Sequence, residues 1–463
     1  MMQSSVRTPH TRAGRRRPRA LASIAVCSAA LLALAGCSAP GGTSNQNSAI
    51  KDPITAPVTA EQVKALGNIT LNVWADQGEQ ELMKSIVPAY EKEFPNVKVQ
   101  IQFKSFNDLT ATVLNAMNSD TAPDVTQGNQ GWATDGALVK AGLIRPLDDV
   151  VQAYGYAAAA GAAASQLKWS SDGKTFGSGS FYGMSPDNQM VGMFYNKTKL
   201  ASLGLSVPTT LDELKTALAK AKAAGEIPIT LGNSDKGSAM QAFSVVQGGM
   251  TPAADTVGWV TGKSGSDFNT ATNKQALDLW ASWAQDGTIS PGYDGTSPDD
   301  AVAAFAKGSG VFYLGGNWQA GTISDGSTFG FAPAPAGAGN TAASNGSFGM
   351  PWHISSKSKN TLAAIAFIGL INGPDSGHYL ADVNRVPVQL NGVQVTDPMF
   401  TDLINASKVQ LANNGALYYY DWSTPTMFDL FTSDLQEVMA GKLSSSDMLS
   451  AVQKNWTDFQ AKS

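Results

Sequence analysis

Few residues in this chain have the types and spacing that bond-making chemistry needs. Two acidic pairs, Asp148-Asp149 and Asp299-Asp300, are the candidates for a two-carboxylate hydrolase, which requires acids roughly 5–10 Å apart. Both pairs read as helix starts, where acids favour the dipole. His353 and His378 are the histidines beyond the first 36 residues, and either would have to serve a Ser-His-Asp triad. No GxSxG elbow, GxxxxGK[ST] loop, EF-hand pattern or Cys/His cluster occurs, so the sequence offers no cofactor or metal site. Recognition is better represented. Several apolar runs end in a polar or glycine turn beside an aromatic or amide: Trp74-Ala75-Asp76-Gln77, Gln127 to Asn129, Asn233, and Asn317-Trp318. In "YLGGNWQAG", Trp318 is either a core plug or a ring kept bare for a ligand.

The elements that would position these residues follow from periodicity. "ITLNVWADQ" alternates as a strand; "EQELMKSIVPAYEKEFPN" carries an apolar helical face, with Pro88 expected to kink or break it; "NVKVQIQF" alternates again. Strand, helix and strand within about 35 residues make a βαβ unit and predict a parallel sheet. "TTLDELKTALAKAKAAG" predicts a helix with a Thr210–Glu213 capping box and a stop at Gly225. "PDVTQGN", "IPITLGN" and "GVFYLGGNW" predict strands, and "TLAAIAFIGLING" and "SSSDMLSAVQKNWTDF" helices. In open α/β sheets, ligands sit beyond the carboxyl ends of strands, where the polar turns fall. Of the tryptophans, Trp280, Trp283 and Trp456 lie in amphipathic helices and read as core. Trp132 and Trp169 are undecided, and Trp74, Trp259, Trp318, Trp352 and Trp422 read as strand-end or turn residues.

The first residues form an address. Six Arg by Arg19 and no acid precede the apolar "LASIAVCSAALLALAG", which reads as a signal peptide, too short for a confident membrane span. The segment ends in "LAGC", which resembles a bacterial lipobox and implies cleavage after residue 36 and lipidation of Cys37. The export route, general or twin-arginine, stays open. Removal of six Arg and no acid takes the net charge from −5 to −11. An acidic body argues against nucleic acid. Residues 37–67, rich in Ser, Pro, Gly and Thr, read as a flexible tether.

Four stretches in order carry a family resemblance: "ITLNVWADQGEQELMKSIVPAYEKEFPNVKVQI", "APDVTQGNQGWATDGALVKAGLIRPLDD", "FYGMSPDNQMVGMFYNKTKLASLGLSVPTTLDELKTALAKAK" and "AFAKGSGVFYLGGNWQAG". Over residues 68–463 the chain resembles the extracellular solute-binding proteins of bacterial carbohydrate ABC importers, the maltose-binding-protein-like group. The resemblance implies an α/β, two-lobe periplasmic-binding-protein-like fold with a hinge and an interlobe ligand cleft. It places chain crossings near Gly183–Asp187, Gly330 and Pro387. The lobes would be 68–184 with 332–387, and 188–330 with 389–463. It implies a non-catalytic, monomeric binder on the extracellular face of the cytoplasmic membrane, held by its lipid anchor, that delivers sugar to ABC permease subunits.

Sugar rings present apolar C–H faces rimmed by hydroxyls, which suit aromatic platforms with fixed amides and carboxylates. By position, the resemblance carries ligand contact onto Trp74, Asp76, Gln77, Gln127, Asn129, Gln130, Asp187, Asn188, Asn317, Trp318, Trp352, Arg385, Asp421 and Trp422. Arg385 binds a hydroxyl or braces the hinge. Gly315 and Gly316 would let the backbone approach a ring closely. Two other readings remain: a secreted carbohydrate hydrolase using two cleft carboxylates, and a binder of a non-sugar solute such as a peptide or polyamine.

Overall fold

In the computed structural model, residues 53–337, 342–389 and 393–462 are described. The signal peptide, Cys37 and the first part of the expected tether lie outside them. Strand Ile69–Asp76 buries Ile69, Leu71, Val73 and Ala75 on one face and turns Trp74 and Asp76 to the other. It pairs in parallel with Val97–Lys104, from Ile69 opposite Val97 to Asp76 opposite Lys104. On its other side runs Val125–Gln127, also parallel. Trp352–Ile354 closes that edge antiparallel, and the four strands form one sheet. Helix Gln80–Glu93 covers it with Leu82, Met83, Ile86 and Tyr90. The helix runs through Pro88 without interruption, against the expected break. Proline removes the bond to the carbonyl of Lys84, and both residues lie on the exposed face of the helix, where the lost bond costs least. Helix Thr361–Asn372 packs beside it: the Tyr90 hydroxyl donates to Ala363 O at 2.8 Å, and its ring meets Phe367 edge-on at 5.2 Å.

The tether expected through residue 67 is corrected at its far end. Thr59 and Gln62 form a capping box over helix Ala60–Lys64, and Val58 and Val63 are buried. Ile54 N donates to Asp149 Oδ2 (3.1 Å) and Val58 N to the Tyr154 hydroxyl (3.2 Å). Enough apolar and polar contact exists here to order the chain, despite its loop-like composition.

The second sheet has seven strands, and Asp187–Asn196 is its spine. The start of this strand pairs with Val386–Pro387 and Ser344–Phe348, and its far end with Phe312–Gly316 and Phe329–Ala332. Ile229–Thr230 and Ala416–Leu417 form the edges. The chain therefore passes between sheets near Asp187 and near Pro387, which lie opposite each other. The passage expected near Gly330 is displaced. Gly330 pairs with Tyr195 deep in the second sheet, and residues 344–348 still belong there, so the return to the first sheet comes between Phe348 and Trp352.

Helix Leu211–Ala223 has its capping box between Thr210 and Glu213, and Gly225 follows at φ +80°. Asp148-Asp149 and Asp299-Asp300 occupy first turns of helices Asp148–Ala153 and Pro298–Ala306. Trp280, Trp283 and Trp456 are buried. So is Trp259, which lies in helix Ala253–Val260 rather than at a strand end.

Candidate functional site

Strand Ile69–Asp76 ends in the 3₁₀ turn Gln77–Glu79. Asp76 Oδ1 accepts from Gly78 N at 2.8 Å. Its Oδ2 is buried with no hydrogen-bond partner among the described residues. Burial raises the Asp76 pKa to about 6; the Gly78 amide and Arg385 pull against this, and Glu79 adds to it. A desolvated carboxylate with a free oxygen is a strong acceptor for a ligand hydroxyl. Trp74 sits two residues earlier on the same face, half-buried, with Lys104 Nζ 4.0 Å from its ring centroid. Gln77 is exposed.

Behind this turn, several expected ligand residues are committed to the protein itself. Gln127 Oε1 accepts from Asp76 N (2.8 Å), while Nε2 donates to Glu79 Oε1 (3.1 Å) and Met350 O (3.3 Å). Gln130 Nε2 donates to Phe348 O and Gly349 O. Arg385 is 9% exposed and grips two carboxylates: Nη1 and Nη2 reach Glu79 (2.7 and 3.0 Å), and Nε and Nη2 reach Asp187 (2.9 and 3.0 Å). Burial works against this charge, but the fields of Asp187 and Glu79 outweigh it and hold the guanidinium protonated. Arg385 is thus a brace, and Asp187 its partner. Asn188 Nδ2 donates to Pro387 O (3.2 Å). Residues that bridge backbone passages carry the same polar chemistry as ligand contacts, so residue type alone does not separate them.

On the second sheet, strand Phe312–Gly316 runs into the 3₁₀ turn Asn317–Gly321. Asn317 engages both side-chain groups within the protein. Its Oδ1 accepts from Met190 N (3.1 Å) and its Nδ2 donates to Asn188 O (3.0 Å), clamping the turn to the spine strand. Trp318 is half-buried. A Cβ on Gly316 would stand 2.1–2.2 Å from three atoms of its six-membered ring. The ring approached by this glycine is therefore the chain's own indole, folded back and held with part of its surface open. Gly315 is crowded in the same way by Tyr313.

Trp352 is overturned as a ligand residue. It is 0% exposed and packs edge-on against Phe367 at 6.2 Å in the first core. Asn129, Asp421 and Trp422 bind one another: Asn129 Nδ2 donates to Asp421 Oδ2 (2.8 Å), and Trp422 Nε1 donates to Asn129 Oδ1 (3.1 Å). Trp132 N donates to Trp422 O at 3.1 Å, and Gly131, at φ +87°, lies where a side chain would strike the Trp422 backbone. Burial raises the Asp421 pKa to about 6, opposed by the Asn129 hydrogen bond. His353 is a local polar group: Nδ1 lies 2.8 Å from Tyr182 O and Nε2 3.0 Å from Asp135 Oδ1.

Sequence reading missed Glu79, the buried acid that links turn and brace; its signal was an acid just after a strand-end turn. It also left out Asp294, whose Oδ1 is buried without a partner among the described residues, and placed Asn233 among the strand-end turns expected at a ligand cleft without naming it as a ligand contact. Asn233 Oδ1 caps helix Gly237–Gly248 through Ala239 N, while its Nδ2 is buried without a partner among the described residues. Phe106 and Phe428, at the starts of two helices, face each other at 6.2 Å.

Residues 85–406 match the profile of the bacterial extracellular solute-binding proteins. The chain belongs to that family. Its members bind solutes and are not enzymes. Among curated relatives, the chain is 22% identical over 285 residues to an uncharacterised ABC transporter extracellular-binding protein of Pyrococcus horikoshii, covering 58% of this chain and 59% of the relative. It is 28% identical over 215 residues to the multiple sugar-binding protein of Streptococcus mutans, covering 44% and 50%. The matches thus span about half to three-fifths of these relatives. A chitin oligosaccharide binding protein of known structure superposes with a TM-score of 0.73 at 18% identity, over 85% of this chain and 99% of that one. That likeness establishes the two-lobe α/β fold; among the described residues, no helix is long and apolar enough to cross a membrane.

Proposed function

We propose that the protein is the substrate-binding subunit of an ABC importer, anchored through Cys37 to the outer face of the cytoplasmic membrane, and that it captures a carbohydrate, most simply an oligosaccharide. The lobes are built on the two sheets and close over the ligand; the closed form, which the sugar binds better, is what the permease subunits read. One observation carries the ligand class. Two strands end in short turns, one presenting a buried carboxylate oxygen without a partner, Asp76 Oδ2, beside Trp74, the other a half-exposed indole, Trp318. A donor-rich molecule with an apolar face satisfies both kinds of surface at once. Sugar binding by the Streptococcus mutans relative supports the reading.

A thermal-shift screen with maltotriose, xylotriose, chitotriose and galactose tests it. A sugar at 100 times its Kd stabilises the fold by about 2.7 kcal/mol. No shift with any saccharide of a broad panel defeats the carbohydrate assignment. Mass spectrometry of the membrane-associated protein tests the anchor, with Cys37→Ala expected to release the protein from the membrane.

A further inference from the structure

Asp76 caps the three-residue turn Gln77–Glu79 and Glu79 ends it, so both acids sit on one short hydrogen-bonded segment. From Glu79 an unbroken set of polar contacts leads away from the site. Gln127 holds the turn from behind, bonded to Asp76 N and to Glu79 Oε1. The Arg385 guanidinium grips Glu79 with one edge and Asp187 with the other. Asp187 opens the spine strand and stands opposite Pro387, and Asn188 stands opposite Val386 and Phe348. All three chain passages between the sheets therefore meet at the brace. Two residues further along the same strand, Met190 N and Asn188 O hold Asn317, the residue before Trp318.

We propose that Glu79 and Arg385 are positioning residues that couple the Asp76 turn to the interlobe passages, and through Asp187 and Asn317 to the Trp318 platform. This rests on the ligand reading of Asp76 and Trp318 given above. Arg385 makes two bidentate contacts with a planar group, so tilting Glu79 tilts the plane presented to Asp187. Two carboxylates share one guanidinium in a buried place, so a half-broken brace leaves uncompensated charge. Such an element has discrete arrangements rather than a continuous range, which is what a switch between open and closed forms requires. A ligand hydroxyl drawing on Asp76 Oδ2 thereby biases the passages, and the second lobe's platform moves with the spine strand.

The test is a double-mutant cycle on the full chain without sugar, read by hydrogen–deuterium exchange in peptides spanning residues 184–190 and 385–389. Asp76→Asn removes the charge beside Glu79; Arg385→Lys keeps the charge of the brace and loses its fork. Each single variant should change protection in both peptides, on the order of 2- to 30-fold. In the Arg385→Lys background, Asp76→Asn should add little. Glu79→Gln replaces Arg385→Lys if the latter does not fold. No change with Asp76→Asn, or effects that multiply as for independent sites, overturns the coupling. Because no sugar is present, a saccharide screen that fails sinks only the ligand assignment, and an additive cycle sinks only the coupling.

Discussion

The two turns proposed to face the ligand are built alike and fastened differently. Each is a short 3₁₀ turn at the carboxyl end of a strand, with a tryptophan within two residues of the strand end. The Asp76 turn is held by charge: Glu79 on Arg385, with Asp187 as the second anion. The Trp318 turn is held by a neutral amide, Asn317, between two backbone groups of the neighbouring strand, and by close approach of the indole to Gly316. A neutral clamp of this kind fixes one position. A buried cation shared by two anions is costly to distort and depends on every partner, so it suits the side that must respond. The fold thus fastens one turn by shared charge and the other by a neutral amide.

Removing the brace should produce the largest effect. Arg385→Met strands two buried carboxylates and should cost about 3–5 kcal/mol in urea unfolding, whereas Asn317→Ala should cost about 1–3 kcal/mol. Equal losses would erase the distinction between the two turns. The tryptophans sharpen it next. Trp352→Ala should destabilise by about 3–5 kcal/mol as a core deletion. Trp318→Ala removes a half-buried ring packed against the core, so it should lower the melting temperature less than Trp352→Ala does, and weaken saccharide binding roughly tenfold, the value of about 1.4 kcal/mol of stacking. Titration should separate the acids. Asp421 has a folded pKa of about 6, above its ordinary value, so the native state holds the extra proton between about pH 4 and 6. Its contribution to stability is therefore full at low pH and lost as pH rises through 6, with a slope of at most about 1.4 kcal/mol per pH unit. Asp421→Asn should remove that slope from pH-dependent unfolding. Asp76 acts on binding: saccharide affinity should fall as pH drops below about 6 and its acceptor oxygen takes a proton. The smallest structural change is Gly316→Ala. Its Cβ would overlap the Trp318 indole, so it should displace the ring, shift its fluorescence, weaken binding by about threefold and cost about 1–3 kcal/mol as overpacking.

Much of the fold was legible because its signals are local. Alternation in "ITLNVWADQ" and "NVKVQIQF", and the Thr210–Glu213 box, need no knowledge of distant residues. The site was legible at Asp76 and Trp318 only as position after a strand, and opaque where function and support share a vocabulary. Asn317, Gln127, Gln130 and Arg385 are polar, near strand ends and buried, yet their partners lie up to 306 residues away in the chain. Trp352 shows the same limit for aromatics: beside Pro351 it reads as a turn residue, and antiparallel pairing with Gln127 makes it core. The displaced second passage was missed because strand Ser344–Phe348 joins the spine by pairing, which no local pattern announces.

The docked stretch from Ile54 to Val63 has a mechanical consequence. A pull on the chain from upstream meets Asp149 and Tyr154, then the buried Val58 and Val63, all within the part of the molecule built on the first sheet. These contacts lie away from Arg385 and the interlobe passages. Under the proposed anchor at Cys37, the load would enter the first lobe, which would then be the stationary part, and a pull from upstream would bear on neither the brace nor the passages.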